Sequence, residues 1–249
     1  MKEAKTQFPA EEVTLPSKGL LYPEDSPLRK GIIEMKYMTA REEDILTNVN
    51  LIENGTVIDK LLESLIISPI DYNELLVGDK DALLIAARIL GYGADYTFKY
   101  NGDDINIDLT TIKDRQLDES LIIDGKNAFS FTLPTSKKEV TFKFLTHGDE
   151  QKITKELKGL KKLNKNASND LTTRMKYIIT SVDNDSETKT IREFVDNEFL
   201  ARDARELRNH ISKIQPSVDL SYDYEDQRGN ITTIDIPVGI QFFWPDASI

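Results

Sequence analysis

From Asp79 to Leu90 the chain reads DKDALLIAARIL, and from Asp95 to Leu109 it reads DYTFKYNGDDINIDL, with Gly91, Tyr92, Gly93 and Ala94 between them. The first run is apolar nearly all round, the pattern of a helix buried on most sides. The second alternates. Tyr96, Phe98 and Tyr100 lead to Asn101-Gly102, and Ile105, Ile107 and Leu109 follow. A period of two on both sides of Asn-Gly predicts a β-hairpin, because a tight hairpin turn needs residues that accept positive φ. A buried helix running into an antiparallel hairpin points to an α+β protein, with hairpins attached to a helical body.

Toward the N-terminus, Thr56 to Ile67 places Val57, Leu61, Leu62, Leu65 and Ile66 on one helical face, and Pro69 stops it. Asp71 starts a short helical turn. Thr39 and Glu42 have capping-box spacing, which predicts a helix over residues 40–50. Gly31 to Met38 suits a strand. Residues 1–12 read as a loose polar arm, followed by an extended segment punctuated by Pro16, Gly19 and Pro23.

Toward the C-terminus, Phe129–Leu133 and Val140–Phe144 flank a Pro-Thr-Ser-Lys-Lys turn as a second hairpin. Gly148–Leu163 is a basic helix. Leu171–Val182 and Thr190–Ile214 are helical, Thr190 and Glu193 repeat the capping-box spacing, and Pro216 ends the run. Tyr222–Val238 is a third, C-terminal hairpin turning at Arg228-Gly229-Asn230. It echoes the first, since each is an aromatic strand, a polar turn and an Ile-x-Ile strand after a helix. An ancestral unit used twice and two hairpins obeying one alternation both account for that. The expected organisation is an extended arm over 1–30, a helical region with the first hairpin over 31–115, and the second hairpin, helices and C-terminal hairpin over 116–249, the last two packed as one unit.

Of 249 residues, 43 are acidic and 32 basic, a formal charge of −11. That field repels phosphate and argues against a general nucleic-acid or anionic-membrane binder. Cysteine is absent, which excludes disulfides, thiolate nucleophiles and Cys-ligated metal centres, and permits an intracellular origin. No run approaches the roughly 20 apolar residues of a membrane span, and the opening MKEAKTQFPAEEV lacks the apolar stretch of a signal peptide. His147 stands at a strand-to-helix junction and His210 late in a helix, where an imidazolium complements the dipole. Asp183 to Glu187 touches calcium-loop spacing without the mid-loop glycine or the closing glutamate. No phosphate loop, nucleophile elbow or H-E-x-x-H helix occurs. A non-enzymatic protein without cofactor or metal is expected. The rival of another class is a small hydrolase using His147 with carboxylates.

Two features suit contact with another protein. Lys152, Lys155, Lys158, Lys161, Lys162 and Lys165 recur at helical spacing, with Lys155, Lys158 and Lys162 on one stripe. This is either a solvated face or a positive pole that docks an acidic partner or RNA. Phe242, Phe243 and Trp244 are consecutive, so one face of a strand cannot take all three. They either staple the terminus onto the helical body or form an exposed anchor.

Leu15-Pro16-Ser17-Lys18-Gly19-Leu20-Leu21-Tyr22-Pro23 resembles the L-P-S-x-G-x-x-Y start of the T4-type bacteriophage baseplate hub and hub-assembly proteins. Met38-Thr39-Ala40-Arg41-Glu42-Glu43-Asp44-Ile45-Leu46 is similar to that family's M-T-x-x-E-E-x-I-L helix start. Asp203-Ala204-Arg205-Glu206-Leu207-Arg208, Pro216, a hairpin and Phe242-Phe243-Trp244-Pro245 resemble its closing pattern. The blocks span nearly the whole chain in the same order. The resemblance implies a morphogenesis factor that helps assemble the central hub of a contractile tail by binding other hub proteins in the host cytoplasm, and that is absent from the mature particle. A permanent minor hub subunit is the alternative. Some relatives carry Cys-x-x-Cys-like knuckles in their hairpins. Here those turns read Tyr100-Asn101-Gly102-Asp103 and Glu225 to Gly229, so no metal site carries over. The candidate contact residues are Leu20, Leu21, Tyr22, Phe242, Phe243 and Trp244, with Lys155, Lys158 and Lys162 as the charged set.

Overall fold

A computed structural model describes residues 9–115, 117–122, 125–163, 169–226 and 228–243. Strand β1 (Ala10–Thr14) pairs antiparallel with β2 (Ile32–Lys36), and the Leu15 amide donates to Gly31 O at 2.8 Å to close the loop between them. Three helices follow: α1 (Ala40–Leu46), α2 (Val49–Asn54) and α3 (Val57–Leu65). Glu42 accepts the Thr39 amide at 3.0 Å, the half of the capping box that satisfies a donor outside the helix. The expected single helix over 40–50 is broken at Thr47. Asn48 accepts the Leu51 amide at 3.2 Å and starts α2 instead, because a short amide side chain caps better than it continues a helix.

Helix α4 (Val77–Tyr92) buries Leu83, Leu84, Ile85 and Ala87, as its apolar run requires. Gly78 sits so close to the chain at Pro216 that a Cβ there would fall 1.9 Å from the Pro216 carbonyl. The hairpin β3 (Asp95–Tyr100) and β4 (Asp103–Asp108) follows in the expected register, with Tyr96 opposite Ile107 and Phe98 opposite Ile105. It turns at Asn101 (φ 51°) and Gly102 (φ 94°).

Strand β5 (Asp114–Arg115) pairs much later in the chain with β9 (Ser217–Val218). Strands β6 (Phe129–Thr132) and β7 (Glu139–Phe142) form the second hairpin, widened to three strands by β8 (Ile179–Val182). Between them run α5 (His147–Leu163) and α6 (Asp170–Ile178). The helix expected through Val182 therefore stops four residues early. Ile179 and Val182 are buried on the sheet, where β-branched side chains pack well. The run expected from Thr190 to Ile214 is two helices, α7 (Thr188–Asn197) and α8 (Ala201–Ile214). Thr190 is inside α7 rather than capping it, and its hydroxyl bonds Asp185 at 2.8 Å.

The C-terminal hairpin, β10 (Ser221–Glu225) with β11 (Ile231–Asp235), matches expectation. It lies against the first: the Tyr100 and Tyr224 rings meet edge-on at 5.0 Å, and the Tyr224 hydroxyl bonds Asp103. One apolar core runs from Leu15 to Phe243. The segment expected as an extended arm joins it from Val13 onward. Leu15, Leu21, Tyr22 and Leu28 are all buried, since a loop carrying that much apolar surface gains more by folding back than by staying extended.

Candidate partner-binding surface

The N-terminal block reads as a lock. The Ser17 hydroxyl donates to Asp79 Oδ2 at 2.6 Å and the Ser17 amide to Oδ1 at 2.8 Å. The Tyr22 hydroxyl also donates to Oδ2 at 2.6 Å, and it accepts the Leu76 amide at 2.9 Å. Asp79 is fully buried. Burial drives its carboxyl above the ordinary range, against the pull of hydrogen bonds from Ser17 and Tyr22. Gly19 has φ +75°, and a Cβ there would lie 2.4 Å from the Arg29 carbonyl. Arg29 closes the loop by donating to Leu20 O at 2.7 Å.

Leu21 and Tyr22 are therefore not an exposed grip, and Leu20 is half-buried against the core. As contact residues they are corrected by this packing. The hydroxyl of Tyr22 is spent on Asp79 and Leu76, and an apolar neighbour on a loop so tightly tied turns inward with it.

The other blocks end on similar locks. Glu42 is fully buried and accepts Lys36 Nζ and Ser64 Oγ, both at 2.8 Å, besides Thr39. Burial alone would raise its carboxyl, but the bonds from Lys36, Thr39 and Ser64 win and hold it at about 2. Asp203, also buried, accepts the amides of Thr135 at 2.7 Å and Ser136 at 2.9 Å, fastening the β6–β7 turn to α8.

After the last hairpin comes a short helix, α9 (Ile240–Phe243), in a segment to which the sequence assigned no element. Helical geometry lets two consecutive aromatics both go inward, and Phe242 and Phe243 have no exposed surface. They staple the terminus and are not an anchor for a partner. Arg88, itself buried, donates Nε to Phe242 O at 2.9 Å, Nη1 to Gly93 O at 2.8 Å and Nη2 to Asp95 O at 3.0 Å. Trp244 lies outside the described residues.

The lysines are different. Lys155, Lys158 and Lys162 are exposed on α5 and line one groove of about 920 Å³, whose far wall is the α2–α3 turn at Asn54, Gly55 and Thr56. Among the described residues none of the three has an ion-pair partner, whereas Lys143 holds Asp149 at 2.6 Å and Arg174 holds Glu150 at 2.6 Å. On the other side of Lys155 a second groove, of about 1000 Å³, opens between Tyr22, Arg29, Lys126 and Lys143.

His147 is buried between them. Its Nε2 meets the Gln151 amide at 2.8 Å, its ring packs on Tyr72 at 4.6 Å, and Nδ1 stands 3.7 Å from Asp59 with no hydrogen-bond partner. Burial pushes the imidazole below its usual value against the attraction of Asp59. Of the two ring nitrogens, Nε2 is engaged by Gln151 and Nδ1 is enclosed beside Asp59. His210 stacks on Phe131 at 4.7 Å. Among the described residues no group of three metal-ligating side chains converges, and no helix is long and apolar enough to cross a membrane.

Comparison with protein-family models, curated proteins and solved structures finds no match. Sequence reasoning missed the roles of Asp79, Arg88 and Asp203. A charged residue on an otherwise apolar helical face, as at Asp79 and Arg88, is the one signal that could have found two of them.

Proposed function

We propose that this protein is a non-enzymatic morphogenesis factor that promotes assembly of the central baseplate hub of a contractile phage tail by binding hub subunits. The reading is supported by the order of the resembling blocks along the chain. Those blocks coincide with buried locks at Ser17–Tyr22–Asp79, Glu42, Asp203 and Arg88–Phe242. They are the residues a related chain would need in order to hold the same fold, so the resemblance bears on ancestry, and the contact surface must be sought elsewhere. A chaperone-like factor of this kind covers a subunit's apolar surface until a larger interface displaces it. It would act in the host cytoplasm and leave before the particle is complete.

The test is quantitative peptide counting of this chain in infected-cell lysate, isolated hub intermediates and finished particles. Presence in intermediates and absence from particles is expected. A fixed integer ratio to tail components in particles would make it a permanent hub subunit instead, and absence from both fractions would overturn the family reading.

A further inference from the structure

We propose that the groove between α5 and the α2–α3 turn docks an acidic helical segment of a partner protein, with Lys155, Lys158 and Lys162 meeting its carboxylates. The identity of the partner as a hub subunit rests on the function proposed above; the chemistry of the groove does not.

Four observations converge on it. The lysines step by three and four residues along α5, about 4.5 and 6 Å of rise, the spacing of carboxylates on one stripe of a helix laid alongside. Among the described residues none of the three is ion-paired, while two of the three acids that share the groove are paired with cations and the third is partly protonated near neutral pH. Asp59 is held by Lys80, Glu150 by Arg174, and burial pushes the Asp81 carboxyl up to about 6. In a protein of formal charge −11, this leaves a local positive rim.

The wall facing it adds to the field. Thr56 gives no side-chain cap to α3, so that helix begins at the groove with its first amides unsatisfied by a cap. Independently of the lysines, His147 lines the groove with a buried Nδ1 that lacks a hydrogen-bond partner. The Asp59 carboxylate stands 3.7 Å from it inside the protein, so this nitrogen marks a polar, unsatisfied floor beneath the groove.

An acidic protein segment fits better than nucleic acid. A phosphate backbone carries charge at every step, and the field of a protein of formal charge −11 opposes it over any length beyond the groove. A helix can present three carboxylates and be neutral or apolar elsewhere, against Val77 and the alkyl stems of the lysines.

The experiment uses fluorescence anisotropy with a short helical peptide bearing three glutamates spaced three and four residues apart. A glutamine version and a single-stranded RNA of similar length serve as the other probes. The full chain is compared with K155Q/K158Q/K162Q and with K30Q/K137Q/K213Q, which removes the same charge elsewhere, each checked for folding by circular dichroism. The glutamate peptide is expected to bind, to weaken with salt, and to lose about tenfold in affinity in the groove variant alone, the sum of three surface ion pairs. Equal loss in both variants, or none, overturns the proposal. So does RNA binding more tightly than the peptide through the same lysines.

Purified hub subunits are then titrated against the same variants. Subunit binding that ignores the groove variant leaves the hub function standing and overturns the docking site. Peptide discrimination without binding of any hub subunit leaves the docking site standing and overturns the hub function.

Discussion

At the scale of single residues, the most informative side chain is Asp79. Its two oxygens take three donors, from the Ser17 amide, the Ser17 hydroxyl and the Tyr22 hydroxyl. Removing the carboxylate strands those donors in the core, so Asp79→Ala should cost about 3 kcal/mol in urea unfolding. Asp79→Asn, which keeps one acceptor and the volume, should cost roughly half of that. Equal stability of Asp79→Ala and wild type would show that the lock does not hold the N-terminal loop.

Glu42 offers a pH test. Its carboxyl falls from an ordinary 4.5 to about 2 in the folded state, so its contribution is present above pH 4.5 and is lost as pH falls through about 2. Glu42→Gln should therefore be less stable than wild type by about 2 kcal/mol at pH 7, with the gap closing as pH approaches 2. A gap independent of pH would place the effect in packing.

At the scale of elements, Arg88 joins three of them. It belongs to α4, holds the start of β3 through the carbonyls of Gly93 and Asp95, and holds α9 through Phe242. A methionine there keeps the stem and removes all three donors, leaving the buried Phe242 carbonyl and the part-buried carbonyls of Gly93 and Asp95 short of a partner. Arg88→Met should destabilise the fold by about 2 to 4 kcal/mol. Amides of α9 and of β3 should also exchange faster in hydrogen-exchange mass spectrometry, while β6–β7 stays protected. Uniform acceleration across the chain would mean that α9 has no independent opening.

The clasp between helices works differently. Arg192 meets Glu156 with two bonds of 2.8 Å, tying α7 to α5. Because this pair is partly exposed, it orders the helices more than it stabilises them.

At the scale of the whole molecule, one apolar core crosses the boundaries that composition suggests, near residues 30 and 115, and reaches from Leu15 to Phe243. The β5–β9 pairing and the close approach of Gly78 to Pro216 join the two halves directly. Urea unfolding should accordingly give one transition, coincident by circular dichroism and by calorimetry. Two separable transitions would show that residues 31–115 and 116–243 hold separate cores.

The sequence by itself determined the α+β class, all three hairpins, the basic helix α5 and the buried character of α4. Each of these is written in a local period or a turn residue: the alternation around Asn101-Gly102, the three-and-four spacing of the lysines, the apolar run after Asp79. Helix breaks at Thr47 and Glu198 and the strand at Ile179–Val182 were not legible, because there a cap or a sheet neighbour overrides propensity that continues through the segment. The contact candidates divided on the same ground. Leu21, Tyr22, Phe242 and Phe243 are apolar and near the termini, which fits an exposed anchor as well as a core. Only the distant partners Asp79, Leu76 and Arg88 decided that they turn inward. The groove that places Lys155, Lys158 and Lys162 opposite the α2–α3 turn was likewise decided by tertiary structure, because it joins residues about a hundred positions apart, and no local pattern records a wall supplied from so far along the chain.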